Sequence, residues 1–271
     1  MKNYLFLLFI FSSFTLHSLS QDNEGNSQKL NELYLDGVIA RKDGKDFLFY
    51  IKGSAYSFIP GEKPSILFKF EGFNIRRRVN ADKPSDFFLA SREILFYIDP
   101  TTDQILDYWT NPWTKQKLEV FHIQNDPVNS RFRLIKDRVY SVSMDGSRVY
   151  GEISKPEILG DFYVWHNDIF PFYPLKGFDK NYTAAELFDF YIPIDEHKNK
   201  SSFKNVLVSW TRVGPWLPWM KMEGRDGLIV YHARSQRLES FEQLPTRIKE
   251  LVRTKYPKYT TAPKEVDPAK P

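Results

Sequence analysis

The 271-residue sequence contains no cysteine. This absence excludes disulfide bonds, thiolate metal sites and a cysteine nucleophile. The sequence also has no GxSxG motif, so a serine nucleophile on a strand-to-helix turn is not indicated. Neither HExxH nor HxH spacing is present, which leaves no compact zinc motif.

The sequence also lacks an apolar run long enough to cross a bilayer, which takes about 20 residues. A shorter run from Leu5 to Leu16 follows the charged start at Lys2, and the small residues Ser18 and Ser20 come after it. This pattern is typical of a cleaved secretory signal peptide, residues 1–20. We therefore predict an exported protein, periplasmic or secreted, with no integral membrane segment in the mature chain.

Clusters of basic residues are also missing. The formal net charge is only +4 and the lysines and arginines are scattered, which argues against a nucleic-acid partner. Aromatic residues, in contrast, make up 16% of the chain. They favour strands, and they also line apolar pockets and sugar sites.

Short apolar runs separated by Gly, Pro, Asn and Asp turns dominate the rest of the chain. This pattern predicts an all-β protein, an antiparallel calycin/lipocalin-like β-barrel with a short C-terminal helix. The predicted strands cover residues 47–59, 66–78, 86–99, 104–110, 118–124, 138–143, 148–153, 160–170, 187–192, 205–213 and 227–233.

The predicted domain organisation is simple. After the signal peptide we expect an N-terminal extension (21–46) with a short helix over 30–40, and then one β-barrel domain (47–260). The C-terminal helix should cover 245–254, and a disordered tail should follow (261–271).

Two local signals refine this outline. The Asp145-Gly146 turn predicts a hairpin between the strands on either side of it. The capping-box pattern from Thr183 to Glu186 predicts a helical turn before the next strand.

Two stretches, Trp109–Asn129 and Trp210–Met220, concentrate Trp, Asn and Pro. Asn and Pro fix particular turns, and we expect the two stretches to be partners beside a cavity. The tryptophans either stack on a flat ligand or plug the barrel end. The residues predicted to bind ligand are Arg92, Trp109, Asn111, Trp113, Asn125, Asn129, Trp210, Trp216, Trp219 and His232.

Five strands carry a charged or titratable residue on an otherwise apolar face at period two: Arg92, His122, His166, Arg212 and His232. Buried polar groups need partners, so these side chains would satisfy one another and a ligand if they point into one barrel. Each of them alone is more often a paired core residue than a functional one.

The predicted catalytic residues are His122, Asp126, His166 and Arg212. His122 would act as general base or acid, with Asp126 or His166 as its orienting partner; Asp168 is another carboxylate within the same pattern. Arg212 would hold a carboxylate or oxyanion of the ligand.

A metal site built from three histidines and one carboxylate is a further alternative, but no ligand spacing supports it and we predict no metal. The sequence specifies no cofactor.

Several of these stretches resemble the family known as domain of unknown function 1838. The motifs that carry the resemblance are Gly72-Phe73-Asn74, Arg92-Glu93 before Tyr97-Ile98-Asp99-Pro100, Trp109–Thr114, Asn125–Asn129, Ser209–Met220 and Tyr256–Tyr259. Thr102-Asp103 departs from the expected Thr-Gly. The resemblance implies a calycin-like barrel, and such barrels hold small ligands in their interiors.

Three functions remain open at this stage. The first is an acid–base enzyme (isomerase, lyase or hydrolase type) acting on a small, partly apolar molecule. The second is a non-catalytic lipocalin-like binding protein for a lipid, pigment or glycan. The third is a structural or interaction module with a filled barrel.

Overall fold

The structure is a computed structural model that describes residues 27–83, 85–144, 148–173, 182–197 and 203–266. The predicted signal peptide and the Asp145-Gly146 turn lie outside the described residues.

Within the described residues, fifteen antiparallel strands form the fold. Thirteen belong to one sheet, in which ten follow the order β10-β11-β13-β14-β15-β1-β2-β3-β7-β8, and β4 and β5 form a separate pair. Their bounds are β1 Phe47–Phe58, β2 Ile66–Lys83, β3 Asp86–Ile98, β4 Tyr108–Thr110, β5 Lys117–Glu119, β6 Ile123–Asn125, β7 Ser130–Ile135, β8 Arg138–Ser143, β9 Arg148–Tyr150, β10 Glu157–Leu159, β11 Phe162–Tyr173, β12 Tyr182–Thr183, β13 Ala185–Pro193, β14 Leu207–Gly214 and β15 Leu228–Leu238.

The large sheet curls into a half-barrel. Tyr97 on β3 and Tyr231 on β15 lie three strands apart in the sheet, which is about 14 Å in a flat sheet. Their hydroxyl oxygens are nevertheless 3.1 Å apart. The sheet must therefore bend until these side chains meet on its concave face. The predicted all-β, calycin-like fold is confirmed at this level.

Close strand contact on the concave side requires a glycine in β2. Gly72 pairs with Leu95 of β3, and a Cβ atom at this position would lie 2.0 Å from the carbonyl oxygen of Ile94. Any side chain here would force β2 and β3 apart, so Gly72 permits the local backbone geometry.

Two apolar clusters lie on the concave side. The helix-side cluster centres on Tyr34, Phe47, Phe49, Trp165 and Phe190. The tryptophan-side cluster contains Phe68, Phe70, Tyr97, Trp109, Trp210, Tyr231 and Met220. Phe188 packs against both clusters, so the two are continuous inside the half-barrel.

The N-terminal helix completes the helix-side cluster. Residues 27–33 are α-helical (α1), and Tyr34–Ile39 continues them as a π-helix. Tyr34 is fully buried and stacks on Trp165 with ring centroids 5.1 Å apart. Asn31 accepts a hydrogen bond from Trp165 Nε1 at 2.9 Å and donates one to the Asp137 carbonyl at 2.8 Å. The predicted helix is confirmed, and it is an integral part of the core.

The convex face is covered by the C-terminal helix. α3 (Thr246–Lys255) buries Ile248 and Val252 in a cluster with Phe73 and Ile94, which point away from the concave side. The predicted C-terminal helix is thus confirmed. A short helix, α2 (Ile194–His197), follows β13.

The chain beyond α3 stays packed further than expected. The Ala262 N–H donates to Asp46 Oδ2 at 3.1 Å, and Ala262 and Val266 are both buried. Of the tail predicted to be disordered, residues 261–266 therefore pack on the fold, and 267–271 lie outside the described residues.

Some strand predictions were wrong in detail. The segment from 118 to 124 forms two short strands, β5 and β6, and β7 was not predicted. The expected hairpin does not form a ladder, because β8 pairs with β7 whereas β9 pairs with β11. The expected helical turn before Leu187 is extended, since β12 and β13 occupy that region. Strand pairing decides these outcomes, and local propensity does not report which strands pair.

We expect Gly72→Ala to lower the free energy of unfolding by about 3 kcal/mol or more, because the new methyl group overlaps the β3 backbone. Gly61→Ala is the control: nothing lies within 4 Å of its Cβ position, but its φ is +80°, so it should cost only about 1 kcal/mol. Urea denaturation of both variants measures the difference. Equal effects would show that close strand contact at Gly72 does not matter.

Candidate functional site

The concave face holds a group of four ionisable side chains, which we call the interior charged group: Arg76, Glu93, Glu186 and Arg212. Strand register accounts for their positions. Glu186 on β13 pairs with Arg212 on β14, and Arg212 pairs with Tyr231 on β15. Glu93 on β3 belongs to the opposite wall of the curl and still interacts electrostatically with Glu186 and Arg212.

Glu186 and Arg212 form the closest charge pair of this group. Arg212 Nε lies 3.4 Å from Glu186 Oε1, and the guanidinium lies 5.1 Å from the centre of the Tyr231 ring. Burial raises the pKa of Glu186 to about 7, and the charge of Glu93 adds to the rise. The Trp210 indole N–H opposes the rise, although Trp210 Nε1 makes no hydrogen bond of regular geometry within the described residues.

Glu93 is held by an amide and not by an ion pair. Its Oε2 accepts a hydrogen bond from Asn125 Nδ2 at 2.8 Å, and Asn125 is its partner across the β3–β6 ladder. Burial raises the pKa of Glu93, while the charges of Arg76 and Arg212 act in the opposite direction.

Arg76 is the second cation on this face. Its Nε donates to Asn74 Oδ1 at 2.8 Å, and its guanidinium lies 4.9 Å from the centre of the Phe49 ring. Burial lowers the pKa of Arg76 to about 10, against the effect of the nearby Glu93 charge. It remains a cation at neutral pH.

Aromatic side chains surround the interior charged group. Trp210 stacks on Phe188 and on Tyr231, with ring centroids 6.0 Å apart in each case, and Phe70 meets both Trp210 and Tyr231 edge-on. The hydroxyls of Tyr97 and Tyr231 are hydrogen-bonded to each other, and burial raises the pKa of both. Both phenols therefore stay neutral.

Three of the residues predicted from sequence belong to this arrangement. Arg212 and Trp210 lie on the concave face, and Asn125 binds Glu93. Five residues of the arrangement were not predicted from the sequence: Arg76, Glu93, Glu186, Tyr97 and Tyr231. Period-two alternation with Phe188 and Phe190 was the available signal for Glu186.

The two Trp-rich stretches are in contact, as predicted. Trp109 and Trp219 have ring centroids 5.8 Å apart, and those of Trp113 and Trp216 are 5.5 Å apart. Asn111 is fully buried and donates to the Met220 carbonyl at 3.1 Å. These side chains close one end of the tryptophan-side cluster, and their role in ligand binding stays a prediction.

His122 lies elsewhere, in a groove of about 540 Å³ beside Asp107, Lys255 and Tyr256. Its Nδ1 accepts a hydrogen bond from the Tyr97 backbone N–H at 3.2 Å. This contact puts the proton of the neutral ring on Nε2. Burial lowers the pKa of His122, so the ring is neutral at pH 7.

The predicted partners of His122 are engaged by other groups. Asp126 pairs with Arg92 at 2.7 Å and with Lys258 at 3.1 Å; burial acts to raise its pKa, but these two cations lower it overall. Arg92 also donates to the carbonyls of Lys258 and Thr261, at 2.9 and 2.8 Å. The Arg92–Asp126 pair therefore binds the C-terminal segment at Lys258 and Thr261.

The other predicted histidines lie on the convex side. His166 Nδ1 contacts Asp189 Oδ1 at 2.7 Å, and His232 Nδ1 lies 3.4 Å from Thr211 Oγ1. Asn129 accepts a hydrogen bond from the Ser91 backbone N–H at 3.2 Å. The structure thus does not bring His122, Asp126, His166 and His232 together, and their catalytic or binding roles stay predictions.

The described part of the chain contains no group of three or more His, Asp or Glu side chains arranged to hold a metal ion. Within the same residues, no helix has both the length and the apolar character needed to cross a membrane.

Comparison with known proteins identifies the family. A family model described as "Protein of unknown function (DUF1838)" matches residues 44–270. The match covers most of the chain, so the chain belongs to this family, and the predicted resemblance is confirmed. A comparison with curated proteins gave no match.

The raised pKa of Glu186 predicts a pH-dependent stability. Unfolding returns this carboxyl from a pKa of about 7 to its ordinary value of 4.5. Between these values the folded chain keeps a proton that the unfolded chain releases, so stability falls as the pH rises. Relative to Glu186→Gln, the wild-type free energy of unfolding should fall by up to about 3 kcal/mol between about pH 5 and about pH 8.

Urea denaturation at both pH values measures this effect. Glu223→Gln, at an exposed site outside the interior charged group, should follow the wild type. If Glu186→Gln and the wild type lose stability in parallel, Glu186 does not titrate as described.

Proposed function

We propose that this member of the DUF1838 family binds a small, partly apolar molecule inside the half-barrel and that Glu186 exchanges a proton with it. The observation that carries the proposal is a carboxyl group with a pKa of about 7 beside Arg212, enclosed by aromatic side chains. The family description assigns no activity. The proposal therefore rests on the geometry and chemistry of these side chains.

Enclosed charges are costly, and this argues for a role beyond stability. Removing an ion pair from water costs several kcal/mol per ion, and apolar residues of similar volume are often as stabilising. The interior charged group includes two carboxylates that disfavour each other, since the charge of Glu93 raises the pKa of Glu186. Such arrangements are concentrated at functional sites.

The same side chains are also partly accessible. The Glu186 and Arg212 side chains keep 25% and 12% of their accessible surface, although burial dominates the pKa of Glu186. This remaining accessibility supports the proposal that a ligand can reach both side chains. Aromatic walls with a few converging polar groups are typical of small-molecule sites.

The chemistry that fits is proton transfer. Near pH 7 about half of Glu186 is ionised, which suits a general acid–base catalyst. The carboxylate would take a proton from one atom of the bound molecule, become neutral, and return the proton to another atom. Arg212 would stabilise negative charge that develops on the ligand meanwhile. Isomerisation, elimination or hydration, and hydrolysis all contain such a step.

A non-catalytic binding role is the second candidate. It is favoured by the aromatic wall of Phe70, Phe188, Trp210 and Tyr231, which can hold an apolar ligand without any reaction. In that case the interior charged group only orients the ligand, as polar groups do in lipocalin-type barrels.

The test begins with a compound extracted from the protein purified from its own host and identified by mass spectrometry. The compound is then incubated with protein in D₂O, and deuterium incorporation is followed by NMR. The wild type should catalyse exchange, and Glu186→Gln should slow it by about 10²- to 10⁴-fold. Glu223→Gln should leave it unchanged.

His122→Gln separates the two acid–base assignments. If this variant loses exchange while Glu186→Gln keeps it, His122 is the catalytic group and the assignment to Glu186 is wrong. Binding of the compound without exchange in the wild type would instead establish the non-catalytic candidate.

We also infer that the protein is exported, from the charged start, the apolar run and the small residues at Ser18 and Ser20. Intact-mass spectrometry of the protein from its own host should give a chain that begins at Gln21. A chain that retains residues 1–20 would contradict export through a cleaved signal.

A further inference from the structure

We propose that Arg76 and Asn74 form an anion subsite that binds the carboxylate of a monocarboxylic ligand whose apolar body lies against the aromatic wall. This inference rests on the proposed function, because it concerns the same interior. It differs from the role first predicted for Arg212, since the anion contact is assigned to another arginine.

Arg76 has unused hydrogen-bond donors. A guanidinium carries five N–H groups, and the only hydrogen bond of the Arg76 side chain within the described residues runs from Nε to Asn74 Oδ1. Its two terminal nitrogens have no protein partner there, and they retain accessible surface, unlike the terminal nitrogens of Arg237, which are buried. These donors are therefore available to a ligand.

Arg76 also lacks the carboxylate partner that its neighbours have. On the same concave face, Arg78 pairs with Asp36, Arg212 with Glu186 at 3.4 Å, and Arg237 with Glu239 at 3.0 Å. In the described part of the chain, no carboxylate lies at ion-pair distance from Arg76. An enclosed cation without a counter-ion is costly, and a ligand carboxylate would supply that counter-ion.

Two further polar groups lie beside Arg76. Asn74 is buried at 7% exposure, and its Nδ2 makes no hydrogen bond within the described residues while keeping accessible surface. The Tyr34 hydroxyl is buried without a partner, and the Arg76 charge acts on it. Carboxylates bind guanidinium and amide donors in one plane, so Arg76 and Asn74 suit this group.

The charge of the interior favours a monoanion over a dianion. Arg76 and Arg212 supply two positive charges. Glu186 is about half-neutral near pH 7, so the two carboxyl groups carry less negative charge than the two guanidinium groups carry positive charge. The remaining positive charge favours a ligand with one negative charge over a ligand with two.

The apolar body of the ligand has a defined direction. Arg76 lies over the ring of Phe49, and Phe49 contacts Phe190 with ring centroids 6.3 Å apart. Phe190 in turn stacks on Phe188, which reaches Trp210. This aromatic series leads from Arg76 towards Glu186, and we expect a chain or ring attached to the carboxylate to point in the same direction.

The test uses octanoate, octanol and octylammonium as probes of equal chain length, with isothermal titration calorimetry on the mature protein near pH 7. We expect wild type to bind octanoate more tightly than octanol and to bind octylammonium weakest. In Arg76→Met the affinity for octanoate should fall by about 10- to 100-fold, the range for losing hydrogen bonds to a charged group. Octanol affinity should change little.

Two variants control this comparison. Arg234→Met, at an exposed arginine on the convex face of β15, should bind all three probes as the wild type does. Arg76→Lys keeps the charge but loses the planar donors, so octanoate affinity should be intermediate. If Arg76→Met does not fold, the ratio of octanoate affinity to octanol affinity is compared between Arg76→Lys and the wild type. A lower ratio in Arg76→Lys supports the anion subsite, and an equal ratio overturns it.

The outcomes distinguish the two proposals. Octanoate affinity that is unchanged in Arg76→Met, or a wild-type preference for octanol or octylammonium, overturns the anion subsite but leaves the interior as a ligand site. Failure of the wild type to bind any of the three probes overturns the subsite and counts against the proposed interior cavity as well.

Discussion

The structure depends on the curl of one antiparallel sheet around charged side chains that it keeps away from bulk water. β3 and β13 are separated by four other strands, yet the charge of Glu93 on β3 raises the pKa of Glu186 on β13. Only a strongly bent sheet brings the side chains of Glu93 and Glu186 close enough to interact. Two glycines allow the strands to approach closely along the bend: a Cβ atom at Gly53 or Gly72 would overlap the backbone of the next strand.

The curl also explains why the interior charged group behaves as it does. Helix α1 and its π-helical continuation complete the apolar core on one side, and the two Trp-rich stretches close the other. Enclosure raises the pKa of Glu186 and lowers that of Arg76. A carboxyl group that titrates near neutrality and a guanidinium with unused donors then occur within one interior. The proposed proton transfer and the proposed anion subsite both follow from that enclosure.

The sequence was sufficient to predict the fold class, because turn residues and period-two alternation repeat along the whole chain. It also identified Arg212 and Trp210, because both residues lie on the face of their strand that is otherwise apolar. On β3 it selected Arg92 and not Glu93. Both faces of β3 are buried, one by the interior and the other by α3, so apolar alternation cannot tell which face is concave. For the same reason His166 on β11 was selected and Glu186 on β13 was not. The sequence of a strand does not show which of its two faces points into the half-barrel.

The central claim is that Glu186 is enclosed and titrates near neutrality inside the half-barrel. Carbon-13 NMR of the side-chain carboxyl carbons, with Glu186→Gln to assign the resonance, measures this directly. The account predicts a titration midpoint of about 7 for Glu186. A midpoint near the ordinary value of 4.5 would contradict it, because a carboxyl group in contact with bulk water has no reason to act as the proton carrier of an interior site.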